Sequence, residues 1–133
     1  MRGNRGFSLV ELIIVIAIMA VLIGLLTPQY LKYVEKSRKA KDEKLASELL
    51  EVANVIASDE DYFDKISVGD YIQFDDSGIA TNNQVIEDEI LPEYVSGWEN
   101  AHIESNEYKN KYYKIEFVSG YQDYKMAIQV GWN

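Results

Sequence analysis

The chain has 133 residues, a formal net charge of −9, no cysteine, two prolines and eight glycines. That length holds one ordinary domain plus an appendage, and so little proline and glycine argues against a long low-complexity tract. Disulfides, thiolate metal sites and cysteine nucleophiles are excluded, as is a two-histidine zinc centre, because His102 is the one histidine.

The chain opens with Met1-Arg2-Gly3-Asn4-Arg5-Gly6, short, basic and free of acids. Phe7-Ser8-Leu9-Val10-Glu11 follows, then an apolar run from Leu12 to Leu26 broken only by Gly24. As a helix, Phe7 to Leu26 measures about 30 Å, the hydrocarbon thickness of a bilayer. The run is longer than the apolar region of a secretory signal peptide, and Thr27-Pro28-Gln29-Tyr30 offers no small-residue cleavage site.

Glu11 is the anomaly. A carboxylate at the centre of a membrane helix costs about 2.5–3.5 kcal/mol on insertion scales, less near an end, so its partner matters. No basic residue lies between Gly6 and Tyr30. Cleavage between Gly6 and Phe7 would create a positive amine four residues before Glu11. That amine can approach Glu11 within one helix, or neutralise Glu11 of an adjacent copy offset along a bundle. The plainer alternative is a carboxylate snorkelling to the headgroups.

The segment Gly6-Phe7-Ser8-Leu9-Val10-Glu11-Leu12 resembles the processing site of type IV prepilins and of type II secretion pseudopilins, which carry a class III signal sequence. The resemblance implies a membrane peptidase that cuts after Gly6 and methylates the new N-terminus at Phe7. It makes Glu11 the assembly residue and Pro28 the family's helix proline. It is firm over about the first thirty residues and one of layout beyond. The positive-inside count runs against it: two basic groups precede the segment and six follow between residues 27 and 44, favouring a cytoplasmic C-terminus. The resemblance instead keeps the leader cytoplasmic and exports the head.

Gly24 and Pro28 stand one turn apart and make the weakest turn of the helix, since proline offers no N–H to the carbonyl of residue 24. Two outcomes are open: a modest kink, or a stretch that loosens when subunits pack. After Pro28 the helical pattern resumes and yields an apolar stripe at Leu45, Leu49, Val52 and Ile56. Ser58-Asp59-Glu60-Asp61 ends it, and a helix from Phe7 to Ala57 is predicted. Residues 27–44 carry a local charge of +3 and residues 45–133 a charge of −13. The basic neck at residues 32–44 is expected to be exposed, facing the acidic heads of neighbouring subunits, with Lys36, Arg38 and Lys39 foremost. An acidic head makes direct nucleic acid binding a poor expectation.

Beyond residue 58, Ile66 to Phe74 reads as β-rich, with a turn at Asp75-Asp76-Ser77-Gly78. Tyr112–Val118 and Tyr124–Val130 read as two strands of a hairpin joined by Ser119-Gly120-Tyr121-Gln122-Asp123. Tyr113, Ile115 and Phe117 on one strand, and Met126, Ile128 and Val130 on the other, form a face able to cover the Leu45–Ile56 stripe. Val85 to Val95 reads as a short helix or irregular loop, with Trp98 a packing anchor. Many Gram-negative pilins close this region with a disulfide; here pairing, packing or an ion must do so. No cofactor is expected. Calcium, which major pseudopilins bind near the C-terminal end, is a minor alternative, and no acidic cluster matches a calcium-loop pattern. No metal or catalytic residue is assigned, no phosphate-binding glycine loop occurs, and no enzyme is expected.

The expected fold is α+β, a long N-terminal helix with a small antiparallel sheet packed on its second half. The expected division is a leader at 1–6, a transmembrane and assembly helix at 7–28, a helix stem packed on the head at 29–57, and a β-rich head at 58–133. The expected sites are Gly6 and Phe7 for leader cleavage, Phe7 for methylation, Glu11 for the assembly charge, and Gly24 with Pro28 for the helix weak point. The implied function is that of a pilin, stored in the cytoplasmic membrane as a single-pass precursor and then assembled as a homo-oligomer in a helical cell-surface filament. Implied partners are a prepilin peptidase, a membrane platform protein and its ATPase. Open alternatives are a type II secretion pseudopilin and a single-span membrane-anchored binding module that never polymerises.

Overall fold

The computed structural model describes residues 6–62, 64–119 and 126–133. The chain divides into two units, Met1–Lys36 and Ser37–Asn133. One helix, α1 (Leu9–Ser58), supplies most of the first and the opening element of the second. Of the expected leader, only Gly6 is among the described residues.

In the first unit α1 starts at Leu9, two residues later than predicted, because Ser8 caps it. The Ser8 hydroxyl oxygen accepts the Glu11 N–H at 3.2 Å, and the Glu11 carboxylate accepts the Ser8 N–H at 3.3 Å. This reciprocal capping box satisfies two backbone donors that a helix start otherwise leaves open. The helix continues without a break through Gly24 and Pro28. Thr27 takes part at that point, its hydroxyl donating to the Ile23 carbonyl at 2.6 Å.

In the second unit the helix buries Asp42, Ala46, Leu49, Val52, Ala53 and Ile56. This corrects the predicted stripe at its N-terminal end: Leu45 is only partly buried, while Ala46 and Ala53 join the buried core. The helix gives way at Ser58 to a 3-10 turn, Glu60–Tyr62.

Strands β1 (Tyr71–Asp75), β2 (Gly78–Thr81), β3 (Tyr113–Ser119) and β4 (Met126–Trp132) form one sheet in the order β2-β1-β3-β4, with every neighbouring pair antiparallel. β1 is shorter than the Ile66–Phe74 run suggests. Residues 67–70 form a turn in which the Asp70 carboxylate accepts the Ser67 N–H at 2.8 Å. The predicted Asp75–Gly78 turn is present and returns the chain into β2, which the sequence pattern did not reveal. Asp75 accepts the Ser77 N–H at 2.8 Å, and Gly78 has φ +130°, a backbone open to glycine and strained for other residues.

Alternation sorts the sheet's faces. Ile72 and Phe74 of β1, and Tyr113, Ile115 and Phe117 of β3, enter one core with the helix stripe. That face covers the helix as the hairpin pattern implied. On β4, Val130 is substantially exposed; the side chains of Met126 and Ile128, residues Tyr124 and Lys125, and the connector from Gly120 to Asp123 lie outside the described residues.

Between β2 and β3 the chain makes a π-helical turn (Ile86–Ile90), a short helix α2 (Leu91–Tyr94) and a 3-10 turn (Trp98–Asn100). Ile86, Ile90, Leu91, Val95 and Ile103 complete the core, with Trp98 packed at its edge as anticipated.

The last strand is held by pairing and packing. β3 and β4 are in register over Tyr113–Ser119 and Met126–Trp132. The Trp132 ring stacks on Tyr108 at 4.1 Å and 11° and meets Tyr113 at 5.1 Å. The Tyr108 hydroxyl donates to Glu43 of α1 at 2.7 Å, so the C-terminal tryptophan is tied to the helix through one tyrosine.

Candidate assembly and processing site

The residues expected at the processing site stand together at the start of α1. Gly6 and Phe7 precede the first helical turn, and the Phe7 side chain is 83% exposed. The backbone that would be cut therefore lies outside the helical hydrogen-bond ladder, because the cap at Ser8 ends that ladder. Glu11 sits within the first turn, where a carboxylate also complements the positive end of the helix dipole.

Beyond the expected role of Glu11, Ser-x-x-Glu immediately before an apolar run is itself a helix-start signature, and Ser8 and Glu11 form it. The bond that the Glu11 carboxylate forms is to a neutral N–H, and no basic residue lies between Gly6 and Tyr30. Gly24 and Pro28 lie further along the same helix, well separated from this cluster.

The apolar side chains between Phe7 and Tyr33 have no partners inside the unit. Every large one is between 48% and 83% exposed. α1 is also long and apolar enough to cross a membrane. These residues can be desolvated only by lipid or by other protein.

The basic neck departs from expectation. Lys39 pairs with Glu107 at 2.9 Å and Lys41 with Glu104 at 2.8 Å, both inside the same head. The hydrogen bond to Glu107 raises the Lys39 pKa above its ordinary value. Between these pairs, Asp42 is buried, and its two carboxylate oxygens accept the backbone N–H groups of Glu104 at 3.0 Å and Ser105 at 2.9 Å. Part of the positive charge assigned to neighbours thus fastens the loop at 104–108 to the helix. A buried carboxylate serving two amides was not legible beforehand, since Asp42 lies in a charged stretch that reads as solvated.

An open hollow of about 610 Å³ lies beside this loop, lined by Arg38, Asp76, His102, Asn106 and Lys109 among others. Its acids are partly engaged: Asp76 accepts the Asn110 N–H at 3.2 Å, and Glu104 holds Lys41. His102 is exposed, with Nδ1 3.0 Å from the Asn100 carbonyl. Among the described residues no three histidine or carboxylate side chains converge as a metal cluster.

Residues 1–27 match the family model described as the prokaryotic N-terminal methylation motif. Neither a curated protein nor a solved structure matches the chain. The matched segment contains the basic leader, Gly6, Phe7, Glu11 and most of the apolar run, and such a motif implies processing by a prepilin peptidase. With an exposed apolar helix that fits a membrane-anchored precursor, and an antiparallel sheet later in the sequence, the matched segment supports a type IV pilin- or pseudopilin-like prepilin.

Proposed function

We propose that the chain is a structural subunit, cleaved between Gly6 and Phe7, methylated at Phe7, and polymerised through residues 7–28 into a helical filament at the cell surface. The observation that carries this reading is the stem, an apolar stretch of helix whose large side chains are all at least 48% exposed. Lipid covers it while the precursor waits, and neighbouring stems cover it in a filament, so one surface serves storage and assembly.

Glu11 supplies the register. In lipid its charge is costly and the capping N–H offsets that only in part. The amine created at Phe7 gives the carboxylate of an adjacent copy a true counter-charge, so cleavage makes ordered packing favourable. The turn between Gly24 and Pro28, where Pro28 leaves the Gly24 carbonyl without its helical donor, is where the stem yields if packing demands extension. A membrane platform protein and its ATPase would extract the subunit. The simple head and retained Glu11 favour an abundant pilin over a secretion pseudopilin.

N-terminal mass analysis of the protein from cells tests the reading. The expected result is a chain that begins at methylated Phe7 and makes up the bulk of sheared surface fibres. An intact leader on a protein that stays in the membrane would establish a non-polymerising anchor instead.

A further inference from the structure

One face of α1 in the second unit is exposed, with Lys41 at its edge held by Glu104 of the head. Ala40, Lys44, Ser47, Glu51 and Val55 are exposed along it, with Lys41 and Glu48 at its margin. Its charges are poorly served internally. Lys44 reaches Glu48 only at 3.9 Å, and Glu51 makes no hydrogen bond or ion pair among the described residues.

The spacing of these charges is informative. Lys41 and Glu48 are seven residues apart, and so are Lys44 and Glu51. Seven residues advance a helix by about 10.5 Å and bring it to within about 20° of the same azimuth. A second, parallel copy displaced by two turns therefore sets both its lysines opposite both glutamates of the first. Other displacements do worse. With none, lysines face lysines and glutamates face glutamates. One turn sets Lys44 against Glu48 but Lys41 against Leu45, and three turns set both lysines against valines, Val52 and Val55. Ala40 and Ser47 share the seven-residue spacing, and their small side chains let two backbones approach.

We propose that this face is a subunit–subunit surface whose occupant is a parallel copy of the same chain displaced by two helical turns, with Lys44 of one copy pairing with Glu51 of the next. Lys41 lies opposite Glu48 in the same contact, although Glu104 already holds it. The proposal rests on the polymerisation reading and adds to it an axial offset and a named pair. The displacement has the same sense as the one that carries the Phe7 amine of one copy towards Glu11 of another, so a single direction of stacking serves both. Solvent screens such pairs, so they select the register, while burial of the stems drives association.

The test uses the full-length chain in cells that assemble it. Lys44→Glu and Glu51→Lys, each alone, should lower the yield of sheared filaments about five-fold or more through like-charge apposition. The double exchange should restore it to within about two-fold. Because the chain contains no cysteine, engineered thiols have no native competitor. Lys44→Cys with Glu51→Cys, treated with a short bis-maleimide to which each thiol adds across one double bond, should give a ladder of linked subunits from filaments, and Lys44→Cys alone should give none. Linked dimers from Lys44→Cys alone would mean zero displacement and would overturn the proposal. So would a double exchange no better than the single ones, or normal filaments of the paired variant without a ladder. A wild-type chain that forms no filament would sink polymerisation itself; wild-type filaments with a failed ladder sink only the two-turn offset.

Discussion

The two units spend their apolar residues in opposite ways. In Ser37–Asn133, the large apolar side chains of the helix stripe and of β1 and β3 close against one another, and Leu49, Ile72, Phe74, Ile115 and Phe117 are fully buried. In Met1–Lys36, apolar residues are denser along the sequence, yet every large one from Phe7 to Tyr33 is at least 48% exposed. The head is a folding unit whose hydrophobic term is satisfied internally; the stem has a hydrophobic term that only other molecules can satisfy. Substitutions in the stem should therefore change assembly and leave head stability alone, and those in the head should do the reverse.

The largest expected effect is at Glu11. Glu11→Ala removes the charge proposed to set assembly and half of the capping box, and sheared filament yield should fall more than about ten-fold. The head's thermal unfolding, followed by aromatic circular dichroism, should not move. Ordered fibres at the normal rate would show that Glu11 does not set the register. Next comes the head's core. Phe117→Ala should cost about 3–5 kcal/mol, read as a lower midpoint in chemical unfolding of the detergent-solubilised chain. Membrane insertion of the stem should be unaffected.

Asp42→Ala tests the fastening of the 104–108 loop. Two buried N–H groups lose a charged acceptor, and a loss of about 2–3 kcal/mol is expected in the same assay. Asp42→Asn, which keeps one acceptor oxygen, should lose less. The smallest effect is at Tyr108, whose pKa is raised by the hydrogen bond to Glu43 and then by burial. A raised value means that the folded head holds this proton more tightly than the unfolded chain. Its contribution is complete below about pH 10, the unfolded value, and is lost as pH rises through the folded one. Lys39, also raised, acts in the same alkaline direction. Tyr108→Phe should make the alkaline fall in melting temperature shallower and leave a slightly lower melting temperature at neutral pH.

Much of this protein is written locally. A twenty-residue apolar run, a basic leader, a lone acid and a Gly-Phe junction act through composition and short spacing, so the prepilin motif and the long helix could be read without coordinates. The β3 strand and the Asp75–Gly78 turn were legible for the same reason, since alternation and turn chemistry are nearest-neighbour effects. The Ser8–Glu11 cap is local too, a contact over three residues that a Ser-x-x-Glu pattern encodes.

What the sequence could not decide are contacts between positions distant along the chain. Asp42 meets Glu104 and Ser105, Glu43 meets Tyr108, and Tyr108 meets Trp132, separations that no periodicity encodes. The same holds for β2 and for β1 lying between β2 and β3, because sheet order depends on which edges are free once the helix stripe is covered. Tertiary structure also gave Lys39 and Lys41 of the basic neck their partners within the head. Charge can be counted along a chain, but folding chooses the partner of each charge, because pairing depends on distance in space.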